Sequence, residues 1–426
     1  MQGAPRLTPA RRGKAVSFDL VLRNARLAES ASDRLVDIGI AGGRIAALQS
    51  GLVAEGELLD LAGRLVSSGL IETHLHLDKT CILERCRAVE GTLEEAVREV
   101  AAAKKGFTVE DVYDRGRSTL ERAILNGTTH VRTHVEIDPG IGFTGLDGIR
   151  RLARDYAWAV DIEICVFPQE GLLNNPGTEE RLVQALRQGV KVLGAAPYCD
   201  SDPRGQIDRI FALARDFDVD IDMHLDLGST PDGMETEYVC AKTEEFGWGG
   251  RVAIGHVTRL STVERPRFDA IARRLADAGV AVTVLPSTDL YLTGRQQEHS
   301  VMRGVVPAHP LIAAGVNCTI ATNNVLNPFT PYGDASLIRQ ANLYANVCQV
   351  SRPADLAECL AMITTRAARL MRLDDYGIAI GKPADLVVLD CASPAAAIAE
   401  LAPPLYGFKR GRRTVTRERA ALHRPI

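Results

Sequence analysis

The sequence predicts an α/β fold: a (β/α)8 TIM barrel with a small β-sandwich formed by the two ends of the chain. Three observations carry that prediction. Eight short β-branched runs end in polar residues between positions 65 and 324, helix-like stretches such as LEEAVREVAAAKKG and FDAIARRLADAG alternate with them, and both termini are β-rich.

In order, the runs are LVSSGLIETHLH (65–76), THVRTHVEI (129–137), VDIEICVFPQ (160–169) and VKVLGAAPY (190–198), then VDIDMHLD (219–226), RVAIGHV (251–257), VAVTVLPST (280–288) and VNCTIATNN (316–324). Eight strands over about 260 residues match a closed parallel barrel, whose chemistry sits at the C-terminal strand ends. The first and second runs are separated by 77–127, a loop long enough to cover the site. Before the barrel, FDLVLRNARL, LVDIGIAGGRIAAL and ELLDLAGRLVSSG read as hairpin-type strands, and YGIAIGKPADLVVLD and GFKRGRRTV supply the same character after it. The expected division is a flexible tail at 1–15, a composite β domain from 16–67 and 371–426, and a barrel at 68–370.

With 46% hydrophobic residues and 50 basic against 54 acidic side chains, the chain reads as an ordinary globular protein with a net charge of -4. That charge argues against a nucleic-acid partner, and no apolar run is long enough to span a membrane. The opening MQGAPRLTPARRGKA lacks the apolar core of a secretory signal, and nine scattered cysteines without C-x-x-C point to a reducing cytoplasm rather than structural zinc.

His74 and His76 flank Leu75 at the end of the first run, so on a strand both imidazoles point to one side and can share a metal ion. His224 and His256 end the fifth and sixth runs, where a third ligand and a proton donor would stand. Singly, a buried histidine is more often a core residue bonded to a backbone carbonyl; the set of four at strand ends favours a metal site.

This constellation, with GLIETHLHLDKT near the start and YGIAIGKPADLVVLD near the end, resembles the amidohydrolase superfamily over nearly the whole chain. HVRTHVEID, VFPQEG, GHVT, TGR and ANLYANVCQ resemble its bacterial cytosine deaminase branch, which includes an aminohydrolase of s-triazine breakdown. The resemblance implies that His74, His76 and His224 ligate one divalent metal, zinc or iron. It implies that His256 polarises the substrate or orients water, and that Gln169 bonds the substrate ring.

Two positions depart from that pattern. The metal-binding aspartate of strand eight is replaced by Asn323, followed by Asn324, a further substrate-binding candidate. The glutamate that shuttles a proton in His-x-Asp-Glu is replaced by Leu227. An amide oxygen can touch a metal but cannot accept a proton at neutral pH. A site of three imidazoles and an amide keeps the ion's full +2 charge, which favours metal-bound hydroxide without a strong base.

A replacement acid or base is still expected. Asp289, just past strand seven, leads, with Asp226 and His256 as rivals; an Asx turn or helix cap is the competing reading of Asp289. Asp78, Asp334 and Lys79 read as loop residues, with Lys79 pairing one of the two. Arg295 in TGR and Phe329 in NPFTPYGD are candidate substrate contacts, against a salt bridge and loop packing respectively.

The expectation is a cytoplasmic, mononuclear, homo-oligomeric amidohydrolase acting on a non-peptide C–N bond of a small nitrogen heterocycle, most simply by deamination. Cyclic amide opening is the alternative within the fold, and a binding protein that has lost its proton relay is the alternative outside it.

Overall fold

The computed structural model describes residues 16–30 and 34–424; the expected tail at 1–15 lies outside the described residues. Five strands precede the barrel: β1 (Val16–Leu27), β2 (Val36–Ala41), β3 (Arg44–Gln49), β4 (Ala54–Asp60) and β5 (Leu65–Ser68). Eight follow: β6 (Leu70–Leu75), β7 (Thr128–Glu136), β8 (Asp161–Phe167), β9 (Val192–Ala195), β10 (Asp220–Leu225), β11 (Val252–His256), β12 (Val280–Val284) and β13 (Cys318–Ile320). They form one parallel sheet in sequence order, with helices between most successive strands.

The ends of that sheet meet at β6 and β13. Asn323 N donates to His74 O (2.8 Å) and His76 N donates to Asn323 O (2.9 Å), so the barrel closes through the backbone of proposed site residues. The interior is polar as well as apolar. Arg132 on β7 donates to Asp222 on β10 at 2.9 Å, and since these strands are not neighbours the pair crosses the barrel. Such charges are tolerated only because each finds a partner.

The run at 65–76 is two strands rather than one. It divides at Gly69, where a Cβ would lie 2.3 Å from the Thr129 side chain, so only glycine permits that approach. Strand β5 joins a second sheet with β14 (Leu386–Leu389), β15 (Pro404–Lys409) and β16 (Arg412–Thr416), in the order β16-β15-β14-β5-β1-β2-β3 with β4 on β1. Both chain ends contribute to this sheet, and Leu22, Ile38, Ile45, Val66, Leu386 and Phe408 bury its core.

The seventh run is also shorter than expected. β12 stops at Val284, and Pro286 opens a helix, Pro286–Leu292, that carries Asp289. Proline is well placed there, because its missing N–H costs nothing in a first helical turn.

Residues 77–127 include a helix, Leu93–Ala103, that lies over the barrel mouth. Thr92 caps it by accepting from Glu95 N, and the Glu95 carboxylate reaches back to the amides of Val89, Glu90 and Gly91, a variant of the reciprocal capping box. Its inner residues Ala96 and Val100 pack with Ile82, Leu227, Leu292 and Phe329.

Candidate active site

At the C-terminal mouth the Nε2 atoms of His74 and His76 each lie 3.0 Å from Nε2 of His224. Ligands about 2.0–2.1 Å from one ion stand roughly 3.0–3.4 Å apart, so this spacing fits a shared cation. The three imidazoles are held in the neutral form that a metal ligand needs. Burial is the main cause that pushes His74 down to about 3 and holds His76 and His224 well below the ordinary histidine range. His224 Nδ1 faces Ala195 O at 3.3 Å, which leaves its Nε2 lone pair pointing at the other two rings.

Asn323 stands beside these rings. Its Oδ1 is buried without a hydrogen-bond partner, and the residue lines the cavity beside His76 and His224. An orphaned amide oxygen next to three converging nitrogens fits a divalent ion as the missing partner. Behind these rings, His134 stacks on His74 with ring centroids 3.7 Å apart, and Phe167 stacks on His224 at 4.7 Å. Gly255 leaves room for the first ring: a Cβ there would sit 3.3 Å from His74 Cε1.

His256 ends β11 on strained backbone. Its φ is +69° and that of Val257 is +42°, a left-handed pair without glycine. Its Nδ1 lies 2.6 Å from Asp289 Oδ1, while Asp289 Oδ2 accepts from Leu285 N at 3.1 Å. Asp289 is fully buried and does not line the cavity; burial raises its pKa, and the His256 ring opposes that rise. The carboxylate therefore stands behind the imidazole rather than facing the barrel mouth, and His256 presents Nε2 to the cavity.

A narrow cavity of about 10 Å³ is lined by His76, His224 and His256 together with Lys79, Gln169, Tyr198 and the Asn323–Asn324 pair. Leu93, Leu227, Leu292 and Phe329 form its apolar wall, and Thr288 completes the lining. Among the described residues, none of those lining groups is a carboxylate.

Other predicted residues fall in various places. Gln169 and Phe329 line the cavity, as does Asn324, whose Oδ1 accepts from Asn327 Nδ2 at 2.7 Å. Asp226 is outside it: its carboxylate accepts from the amides of Glu235 and Thr236 and from the Thr236 hydroxyl, holding the start of a helix. Arg295 is exposed, donates Nε to Tyr291 O and lies over the Tyr291 ring at 4.3 Å.

Lys79 was underrated in the sequence. It pairs with neither Asp78 nor Asp334 but donates to Glu136 Oε1 (2.7 Å) and Gln169 Oε1 (2.8 Å), with Phe329's ring centroid 4.6 Å away. Its proximity to the H-x-H pair, three residues past His76, was the available signal. Tyr198 and Thr288 carried none, because each follows a strand in a short helical turn that apolar patterning does not reveal.

A closed eight-stranded barrel with imidazoles converging at its C-terminal mouth is the architecture of a TIM-barrel enzyme. The family model described as "Amidohydrolase family" matches residues 161–415, more than half of the chain. N-isopropylammelide isopropyl amidohydrolase of Pseudomonas sp. strain ADP is 29% identical over 410 residues, covering 93% of this chain and 96% of that protein. Pterin deaminase of Rhizobium rhizogenes is 28% identical, covering 83% and 81% respectively. The crystal structure of 5-methylcytosine deaminase from Klebsiella pneumoniae liganded with 5-fluorocytosine superimposes with a TM-score of 0.90 at 26% identity, covering 95% of this chain and 99% of that one. The chain belongs to the amidohydrolase family and is a hydrolase of C–N bonds other than peptide bonds.

Proposed function

We propose that this chain is an aminohydrolase that removes an amine from a small nitrogen heterocycle, with one divalent ion, zinc or iron, held by His74, His76, His224 and the Asn323 amide. The convergence of three buried Nε2 atoms beside the orphaned Asn323 Oδ1 carries this reading. Such an ion supplies Lewis acidity and a water-derived nucleophile at neutral pH.

Proton handling falls to the chain's own cavity-lining groups, since no lining side chain is a carboxylate among the described residues. His256 Nε2 accepts and returns a proton, with Asp289 fixing its tautomer and stabilising its charged form. Lys79 has one N–H beyond its bonds to Glu136 and Gln169, and this N–H is directed to the substrate. The Asn324 amide nitrogen and the Tyr198 hydroxyl, neither of which has a partner among the described residues, add two more donors. That inventory suits a ring rich in acceptors, such as an oxo-substituted pyrimidine, pterin or triazine.

The apolar wall of Leu93, Leu227 and Leu292 supports a finer reading, in which the leaving amine carries an alkyl group. This is the kind of substrate named for the Pseudomonas relative. The nine thiols, all unpaired, suit the cytoplasm.

The test is metal analysis of the purified protein with amine detection on aminated pyrimidines, pterins, N-alkylaminotriazines and cyclic amides. About one ion per chain with ammonia or alkylamine released is the expected result. Ring opening without free amine would replace the reading with cyclic amide hydrolysis. Little metal and no turnover would leave a binding protein.

A further inference from the structure

The cavity's polar groups are nearly inaccessible: Lys79, Gln169, His224, His256 and Asn323 are each 3% exposed or less. A heterocycle reaches them only if a wall moves, and Leu93, at the start of the helix Leu93–Ala103, is the lining residue supplied by the cover. The next residue after that helix is Lys104.

Lys104 is buried, whereas Lys105 beside it is exposed. Its Nζ lies 3.1 Å from Glu136 Oε2 and 2.5 Å from Asp138 Oδ2, and it also pairs with Glu170. The other oxygen of Glu136 holds Lys79 at 2.7 Å. One buried carboxylate therefore joins an ammonium on the cover to an ammonium in the cavity. Burial alone would raise the Glu136 pKa, but Lys104 and then Lys79 outweigh it and hold this carboxyl at about 2. Asp78 completes the surroundings by accepting from Glu136 N at 2.9 Å.

A lysine in such a place is retained only against its desolvation cost, and its three carboxylate partners offset that cost. If Lys104 left with the cover, Glu136 would have Lys79 as its one cation, and the Lys79 ammonium would be drawn from Gln169 towards it. We propose that Lys104 is a positioning residue: when the cover closes, it takes one oxygen of Glu136 and so fixes Lys79 at the substrate. The role of Lys79 here rests on the aminohydrolase reading above.

The test compares the metal-loaded wild type with Lys104→Met, Lys104→Arg and the exposed control Lys105→Met. In Lys104→Met, amide hydrogen exchange over 93–107 should rise at least tenfold, and the Lys79 15Nζ resonance, assigned with Lys79→Arg, should shift. Lys104→Arg should restore the exchange rate, and Lys105→Met should change neither readout. These measurements need no substrate, so they decide the inference even if the heterocycle panel shows no turnover and the functional reading fails.

On the heterocycle that the wild type turns over fastest, Lys104→Met should lower kcat at least tenfold. Lys104→Met/Glu136→Gln should be no slower than Glu136→Gln alone, because both substitutions act through one carboxylate. Unchanged exchange with an unmoved Lys79 resonance, or kinetic losses that multiply in the double variant, would overturn the proposal. Should Lys104→Met not fold, Lys104→Gln carries the same expectations.

Discussion

Asp289→Asn changes one buried atom and tests the proposed proton carrier directly. The native carboxylate accepts on both sides, from the His256 ring at 2.6 Å and from Leu285 N at 3.1 Å. An amide can serve only one side: with its oxygen towards Leu285 N, its NH2 faces His256 and inverts the ring's tautomer, and the opposite setting places two N–H donors against each other. A hydrogen bond to a charged group contributes about 1.5–3 kcal/mol, roughly 10- to 150-fold in rate. If the step passes through the imidazolium, losing a full charge about 4 Å away at an effective dielectric near 20 adds up to about 4 kcal/mol. The two contributions together span roughly 10-fold, for the hydrogen bond alone, to about 10⁵-fold, and the expected fall in kcat is about 10²- to 10⁴-fold, the range for general acid–base groups. His256 is outside the proposed ligand set, so metal content should stay at that of the wild type. The assay is amine release at saturating substrate on the metal-loaded variant, with metal analysis of the same sample. A kcat within threefold of wild type, with metal retained, would refute the assignment of His256 and Asp289.

Asn323→Asp adds a negative charge to the ligand set and should slow metal loss to a chelator at least tenfold while moving the acidic limb of kcat upward; an unchanged chelation half-time would remove Asn323 from the ligands. Gly255→Ala pushes a methyl to 3.3 Å from His74 Cε1 and should weaken metal binding by about tenfold in a competition titration, with the fold intact by circular dichroism. His130 gives a pH signature away from the site. Burial first, and then Lys409, lower its pKa from 6.5 to about 4, so its neutral form is the one the fold accommodates. The associated stability is fully present above pH 6.5 and is lost as pH falls towards 4, by about 3 kcal/mol. Denaturant unfolding of His130→Asn should lack that share of the acid limb, and identical limbs in both proteins would contradict the assignment.

The barrel was legible because its strands keep β-branched runs and its helices keep an amphipathic period, both local signals. The convergence of His74, His76 and His224 was inferable from strand-end placement. The local geometry of the mouth was not, because Asp226, His256, Val257 and Asn323 all adopt positive φ, from +42° to +69°, without being glycine. Left-handed backbone at a β-branched residue such as Val257 is imposed by tertiary packing and leaves no mark in composition. The position of Asp289 was misplaced for a related reason: reading 280–288 as one strand aimed its side chain at the mouth, whereas the turn at Pro286 puts it behind His256. Lys79 was paired with the wrong carboxylates because its partners, Glu136 and Gln169, lie 57 and 90 residues away.

The terminal sheet sets an order on biosynthesis. Strand β5 lies between β1 and β14, so one of its edges is filled only after more than 300 further residues have been made. At about 5–20 residues per second, the nascent chain carries that bare edge for roughly 15–60 s. All four β5 residues are buried in the finished protein, and an unpaired strand edge is a template for the wrong partner. The barrel's first strand begins two residues after β5 ends, so the period in which the newborn chain is most open to aggregation coincides with the period in which its hydrolytic centre is being assembled.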